Sequence, residues 1–366
     1  MAKLFHYLTI LPTDSLGGGA EQLLYNVFEY HTTNNKICKI IFLSKKKSGR
    51  WETLKNKAEI TYLPFNNVYL GYLFIIPILL KINLTTTVEK TFTSQTLINS
   101  LLGLLKRVGF FKKTKVIARE SNSIFHLLSG KKLRMYKNAY KIGYPGVDLV
   151  ICQTSYMKAE LIKGMPWMQD KLKIIVLNNP INIDLIKKNA KKVLTTKLPE
   201  KFLVAAGRLA PVKGFDILIP AFKRLLRDFP QLKLLILGEG NERKRLERII
   251  SSESLQDKVI LIGFVNNVYP YFRDAEMCVM SSRIEGFPNV LLQMMSQNQK
   301  VVTTLSAGDI EKIDGLYTCE TNNISALAAT MRNCLSADLK ENRLKFDLNL
   351  NKRTIENFVD SILLEL

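Results

Sequence analysis

CVMSSRIEGFPNVLLQMMSQNQKVVTT, residues 278–304, reads as a buried strand ending at Ser281 and Ser282, a loop with Arg283 and Glu285, a helix opening at Gly286, Phe287 and Pro288, and a second apolar strand. Strand, loop, helix and strand form the joint of a parallel sheet, and the loop lies at the strand's carboxyl end, where such sheets bind ligands. Pro288 fits a first helical position, because its missing N–H is one the helix leaves unpaired anyway. The free N–H groups of that turn then face the loop and favour an anion. A carboxylate pointed at the anion would repel it, so Glu285 reads as an acceptor for neutral hydroxyls beside it. Asn289 and Gln293, one turn apart, extend this polar edge. An anion next to several hydroxyls describes a nucleotide sugar. The plainer reading makes Glu285 a solvated loop charge and Gln293 a surface amide, and the rest of the chain decides between them.

A chain of 366 residues is long enough for two domains, and 47% hydrophobic content supplies two cores. Its five cysteines show no C-x-x-C pair, and Cys38, Cys152 and Cys278 sit in apolar runs, as suits reduced core thiols of a cytoplasmic protein. Three scattered histidines speak against a metal site. The opening MAKLFHYLTILPTD meets polar residues too soon for a signal peptide and reads as a strand. A net charge of +21, with basic runs at 45–47, 112–115, 131–132 and 187–192, points to a polyanionic partner, either nucleic acid or an anionic membrane surface. Clustered aromatic platforms and recognition motifs are missing, so nucleic acid is not the expected partner. LGYLFIIPILLKINL, residues 70–84, is too short to span a bilayer and is interrupted by Pro77. LINSLLGLLKRVGFFKKTK, residues 97–115, reads either as an amphipathic interfacial segment or as a core helix with a solvated face. No run reaches the roughly 20 apolar residues of a membrane span.

Strands and helices alternate along the first half. KLFHYLTI, ICKIIFL, EITYLP, KVIAR, VDLVICQ and LKIIVL read as strands, with helical patterns at 94–108, 133–141 and 155–163. Gly17, Gly18 and Gly19 lie between the first strand and the first helix, where a ligand approaches backbone closely. The G-x-G-x-x-G fingerprint is not met there, which disfavours a nicotinamide enzyme. After VLNNPINID a lysine-rich stretch reads as a linker, and the alternation restarts at KFLVAAG. The expected domains are 1–182 and 201–345, joined by a linker at 183–200, with a terminal helical tail at 346–366. In the second domain, Gly207, Arg208, Lys213 and Gly214 follow the first strand, and the two cations suit a pyrophosphate. No Asp-x-Asp pair is present to hold a divalent ion, so positive side chains and a helix start must do that work.

GRLAPVKGFDILIPAF, LGEGNERKRLE, VILIGF and SSRIEGFPNVLLQMM, in this order and spacing, resemble the C-terminal half of family-4 retaining glycosyltransferases with the GT-B fold. GGGAEQLL, VICQTSYMKAEL and VLNNPINID extend the resemblance over most of the chain. It implies an α/β protein of two tandem Rossmann-like domains facing across a cleft, with acceptor binding in the first and a C-terminal helix packing back on it. It further implies that Arg208 and Lys213 hold the donor diphosphate and that Glu285 contacts the donor sugar. Gly18, Gly19, Gly207, Phe264, Gly286, Phe287, Asn289 and Val290 complete the implied donor site. The family's ribose-binding acid falls on Gln293, a departure that puts donor affinity in question more than activity. Its histidine motif falls on Arg119, Glu120, Ser121 and Asn122, so no histidine base stands there. Arg119 and Glu120 are instead expected at the reaction centre, with Arg119 and Asn122 at the acceptor. His126, nearby, reads as structural.

The implied activity is transfer of a hexose or N-acetylhexosamine, with retention, from a uridine-linked donor to a lipid-linked glycan in surface polysaccharide biosynthesis. It would need no metal or other cofactor, and it would take place in the cytoplasm, peripherally attached to the inner face of the cell membrane. A soluble small acceptor, or an inactive relative that only binds glycan, remain the alternatives.

Overall fold

Runs rich in Val, Ile, Thr and Phe alternate with helices throughout, and each strand they form pairs parallel with its neighbours. The computed structural model describes residues 3–16, 18–194 and 197–366; Gly17 of the triple glycine, two threonines of the expected linker and the first two residues of the expected first strand lie outside the described residues. Two compact units result: one runs to Pro180 and takes back Ile355–Leu366, and the other is Ile181–Thr354.

The first unit holds a seven-stranded sheet of β1 (Lys3–Leu11), β2 (Cys38–Phe42), β3 (Ala58–Tyr62), β4 (Thr86–Thr93), β5 (Lys115–Arg119), β6 (Leu149–Cys152) and β7 (Ile174–Val176), in the order β3-β2-β1-β4-β5-β6-β7. One face packs on the helices Val68–Thr85, Thr96–Arg107 and Gly130–Gly143, the other on Gly19–Thr33 and the returning helix Ile355–Leu364. Phe358, Val359 and Ile362 of that last helix are buried, with Phe358 edge-on to Phe92 of β4. Two helices cross unusually closely, because Gly103 and Gly143 leave no side chain between the backbones of Thr96–Arg107 and Gly130–Gly143.

The second unit holds a six-stranded sheet of β8 (Phe202–Ala206), β9 (Lys233–Leu237), β10 (Val259–Gly263), β11 (Met277–Met280), β12 (Val301–Thr304) and β13 (Tyr317–Cys319), in the order β10-β9-β8-β11-β12-β13. Separate apolar clusters cover its two faces.

Several expectations are corrected here. The stretch expected as a linker contains a helix, Ile183–Ala190, because its lysines point outward while Ile186 and Ala190 are buried among the helices of the second unit. The tail is two helices, Asn342–Asn351 and Ile355–Leu364, of which only the second belongs to the first unit. Pro77 does not interrupt its segment: the helix Val68–Thr85 runs through it, held by Gly71, Ile75, Leu79 and Ile82 against the sheet. Residues 97–115 lay their apolar face on the core, with Ile98, Leu102, Leu105 and Phe111 buried, so the interfacial reading of that stretch does not hold.

Candidate active site

The strand order of the second unit reverses between β8 and β11, and the loops that follow these two strands flank the switch point. The β8 loop passes from Gly207 and Arg208 through a turn at Pro211–Lys213 to Gly214. Gly214 has φ 63° and lies against the Ser281 carbonyl, so no side chain fits there. Ser281 Oγ donates to the Lys213 carbonyl at 2.9 Å, and the Arg283 N–H donates to the Val212 carbonyl at 2.7 Å. The two loops are therefore stitched into one surface.

Arg283 locks that surface. Its guanidinium grips Asp216 at 2.8 and 2.9 Å and donates to Asn322 at 2.6 Å. Burial opposes the Asp216 charge, but the bonds and charges of Arg283 and Arg245 hold its carboxyl below the usual range. Asp216 escaped the sequence reading, since nothing in the spacing pairs it with Arg283; only the adjacency of β8 and β11 does.

The consequence falls on Lys213 and Glu285. Lys213 Nζ meets Glu285 Oε1 at 2.5 Å, Ser282 Oγ donates to the same oxygen at 2.8 Å, and the Glu285 N–H donates to the Ser306 carbonyl at 2.7 Å. The cation expected at the phosphate thus touches the carboxylate expected at the sugar. Arg208 is exposed, whereas Gly207, Gly286, Asn289, Val290 and Gln293 are half-buried and Phe287 is buried. The helix begins at Asn289, so Pro288 caps it in an extended conformation (ψ 108°) and does not occupy its first turn. Phe264, exposed after β10, stands two strands from the Lys213 loop and three from the Glu285 loop.

In the first unit Gly18 precedes the helix that opens at Gly19, and the Glu21 carboxylate folds back over Gly18. Arg119, at the end of β5, is buried, donating to Ser94 Oγ at 2.8 Å and Asn179 Oδ1 at 2.7 Å. Gln153 Oε1 accepts from Asn179 Nδ2 at 2.9 Å, and Gln153 Nε2 donates to the Ser121 carbonyl at 2.7 Å. Burial lowers the Arg119 pKa to about 10, against the pull of Glu120 and Glu21, so the side chain stays charged at neutral pH. Its Nε has no hydrogen-bond partner among the described residues.

Glu120 follows Arg119 directly after β5. It is buried, and its two carboxylate oxygens accept from the Tyr140 and Tyr144 hydroxyls, the first at 2.5 Å. Burial raises its pKa, and the tyrosines hold it in the core behind Arg119. The structure thus places Glu120, expected at the reaction centre, in the core beside two tyrosine hydroxyls. Asn122 is exposed on the following loop. His126 is engaged by Tyr156 at 2.9 Å and Glu160 at 3.0 Å.

Two parallel-sheet Rossmann-like units, of seven and six strands, define a GT-B fold. The crystal structure of Anabaena Alr3699/HepE in complex with UDP and glucose matches with a TM-score of 0.77 over 99% of this chain and 100% of that one, at 17% identity, a likeness of fold. Residues 186–353 match the family model described as "Glycosyl transferases group 1". The N-acetylgalactosamine-N,N'-diacetylbacillosaminyl-diphospho-undecaprenol 4-alpha-N-acetylgalactosaminyltransferase of Campylobacter jejuni is 30% identical over 308 residues, covering 79% of this chain and 78% of the relative. The lipopolysaccharide core biosynthesis glycosyltransferase LpsE of Rhizobium meliloti is 29% identical over 184 residues, 47% of this chain and 52% of that one. The chain belongs to the group 1 glycosyl transferases, of the GT-B, family-4 type, and is a glycosyltransferase.

Proposed function

We propose that the protein transfers a hexose or N-acetylhexosamine from a uridine diphosphate sugar to a lipid-linked glycan, with retention and without a metal ion, at the cytoplasmic face of a membrane. The observation that carries this reading is the Lys213–Glu285 contact at the switch point, beside Arg208 and the start of the helix Asn289–Gln297. An incoming diphosphate draws Lys213 off the carboxylate, and Glu285 Oε1, still bonded by Ser282, is released to accept from a sugar hydroxyl. Arg208, Lys213 and the first-turn N–H groups then stabilise the charge of the departing diphosphate.

Retention follows if the acceptor oxygen attacks the anomeric carbon on the face that the diphosphate leaves. The carbon–oxygen bond to the diphosphate breaks, the new one forms on the same side, and a donor phosphate oxygen takes the acceptor's proton. No protein nucleophile is required, in keeping with the packed state of Glu120. The lipid-linked acceptor is supported by the undecaprenol-linked substrate in the name of the Campylobacter relative.

The test is transfer from a panel of uridine-linked sugars to a lipid-linked glycan, with the product anomer read by NMR. Lys213→Ala and Arg208→Ala should each lower kcat/KM about 10²- to 10³-fold, as loss of a preorganised charge-stabilising donor does. Near-normal turnover in either variant removes that side chain from the diphosphate. Loss of turnover in EDTA, restored by magnesium or manganese, overturns metal independence.

A further inference from the structure

The helix Val68–Thr85 buries only one side. Gly71, Ile75, Leu79 and Ile82 face the sheet, while Tyr69, Leu70, Leu73, Phe74, Ile76 and Leu84 are exposed and follow one another along the opposite side at helical spacing. Exposure reaches 81% at Tyr69, 64% at Leu73 and 78% at Leu84, with Lys81 the one charged residue exposed on this helix, and exposed apolar side chains gathered in this way mark an interaction surface. Among the described residues it is the one helix long and apolar enough to cross a membrane. Its packed side, however, lays it along the sheet, so it presents a face and not a span.

The helix Gly130–Gly143 comes near it through Tyr136, which acts on Tyr72 and is itself acted on by Tyr69. Tyr72 and Tyr136, one on each helix, pack on the same core cluster, and after burial it is Tyr136 and then Tyr69 that push the Tyr72 phenol up to about 12. Lys131, Lys132, Arg134 and Lys141 of this second helix are exposed, with Met135 and Ile142 exposed among them. Neither helix contains an aspartate or glutamate. An apolar ridge edged by tyrosines and flanked by unopposed cations matches a bilayer whose head groups are anionic. A second copy of this chain matches poorly, because two-fold pairing would set the same cations against each other.

We propose that the adjoining exposed faces of the helices Val68–Thr85 and Gly130–Gly143 dock this protein on an anionic lipid bilayer. The proposal rests on the lipid-linked acceptor reading for its purpose, and it replaces residues 97–115, whose apolar side is in the core. Leu73 and Phe74 enter the acyl boundary, and Lys131, Lys132 and Arg134 meet the head groups.

Flotation with phosphatidylcholine vesicles, with or without phosphatidylglycerol, tests it. The parent should float with the anionic vesicles and release as salt rises. Leu73→Gln with Phe74→Gln should lower the bound fraction about tenfold or more. Replacing Lys131, Lys132 and Arg134 by Ser should weaken anionic binding by about a hundredfold, at about 1 kcal/mol per charge. Replacing Lys112, Lys113 and Lys115 by Ser should leave binding to within a few-fold of the parent's; loss confined to that variant overturns the proposal. So does unchanged flotation of the Leu73/Phe74 variant, or a dimer in solution that this variant abolishes. In the unmutated protein, anionic vesicles should slow hydrogen exchange at the exposed ends of both helices, and no change there also overturns it. Transfer to a detergent-dispersed acceptor separates the two readings: failure to float with transfer intact sinks the docking face alone, and flotation without transfer sinks the enzymatic reading alone.

Discussion

His31 is buried in the first unit, its ring stacked on Tyr7 at 3.7 Å between centroids, with Lys90 and Lys36 near enough to act on it. Burial first, and then those two cations, lower its pKa to about 3 from 6.5. The folded chain keeps the ring neutral while the unfolded chain protonates it below 6.5, so the unfolded state binds the extra proton. The stabilising effect of the neutral ring is complete above that value and is lost as pH falls towards the folded pKa. Acidification from pH 7 to 5 should remove about 2 kcal/mol of stability on this account alone. Urea titrations should show the loss, and His31→Gln should flatten the slope even though it forfeits the Tyr7 stack. A slope unchanged in that variant would assign the acid sensitivity to other groups. At the candidate site Lys213 and Glu285 form an ion pair at 2.5 Å, and on the proposed reading an incoming diphosphate separates them.

Between helices, backbones approach closely at the crossing of Thr96–Arg107 and Gly130–Gly143. A methyl group on Gly143 would collide with the Ser100 backbone carbonyl, and one on Gly103 with the Gly143 carbonyl. In an open helix Gly→Ala stabilises by about 1 kcal/mol. Here the obstacle is backbone, which no rotamer change relieves, so Gly143→Ala should destabilise the first unit by about 1–3 kcal/mol. Denaturant midpoints measure this, and a raised midpoint would show that the helices slide apart freely. Elements whose burial follows their composition were legible in the sequence: the apolar strands, and the loops after β8 and β11 with Arg208, Lys213 and Glu285. The central strand β4 was not, because TTVEKTFT reads as polar although Thr91, Thr93 and Phe92 are buried between two neighbours. The helix Ile183–Ala190 was hidden by its lysines. The brace of Arg283 on Asp216, and the burial of Glu120 under two tyrosines, were illegible for another reason: the first joins residues that only the adjacency of β8 and β11 makes neighbours, and the second depends on where the helix Gly130–Gly143 packs.

Across the whole molecule, the chain changes unit twice, after Pro180 and after Thr354. Inside the second unit these two points are tied together, since the Ile181 N–H donates to the Arg353 carbonyl at 2.7 Å and the Arg353 guanidinium lies 5.1 Å over the Phe287 ring. The last helix then completes the core of the first unit, which is otherwise built from residues before 181. Its contribution is concentrated in Phe358, Val359 and Ile362, each of which fills space beside the helix Gly19–Thr33 and the sheet. Truncating a buried phenylalanine leaves a cavity as well as lost apolar burial, and Phe358→Ala should destabilise the first unit by about 3–5 kcal/mol. The second unit has two apolar clusters of its own and none of them includes Phe358. Hydrogen exchange should therefore accelerate in β1 and β4 of the variant while β8, β9 and β11 keep their protection. Uridine diphosphate should still slow exchange in the loops after β8 and β11, because Arg208, Lys213 and Glu285 lie wholly in the second unit. Equal acceleration in both sheets would instead mean that the chain unfolds as one cooperative block, with the last helix holding both units together.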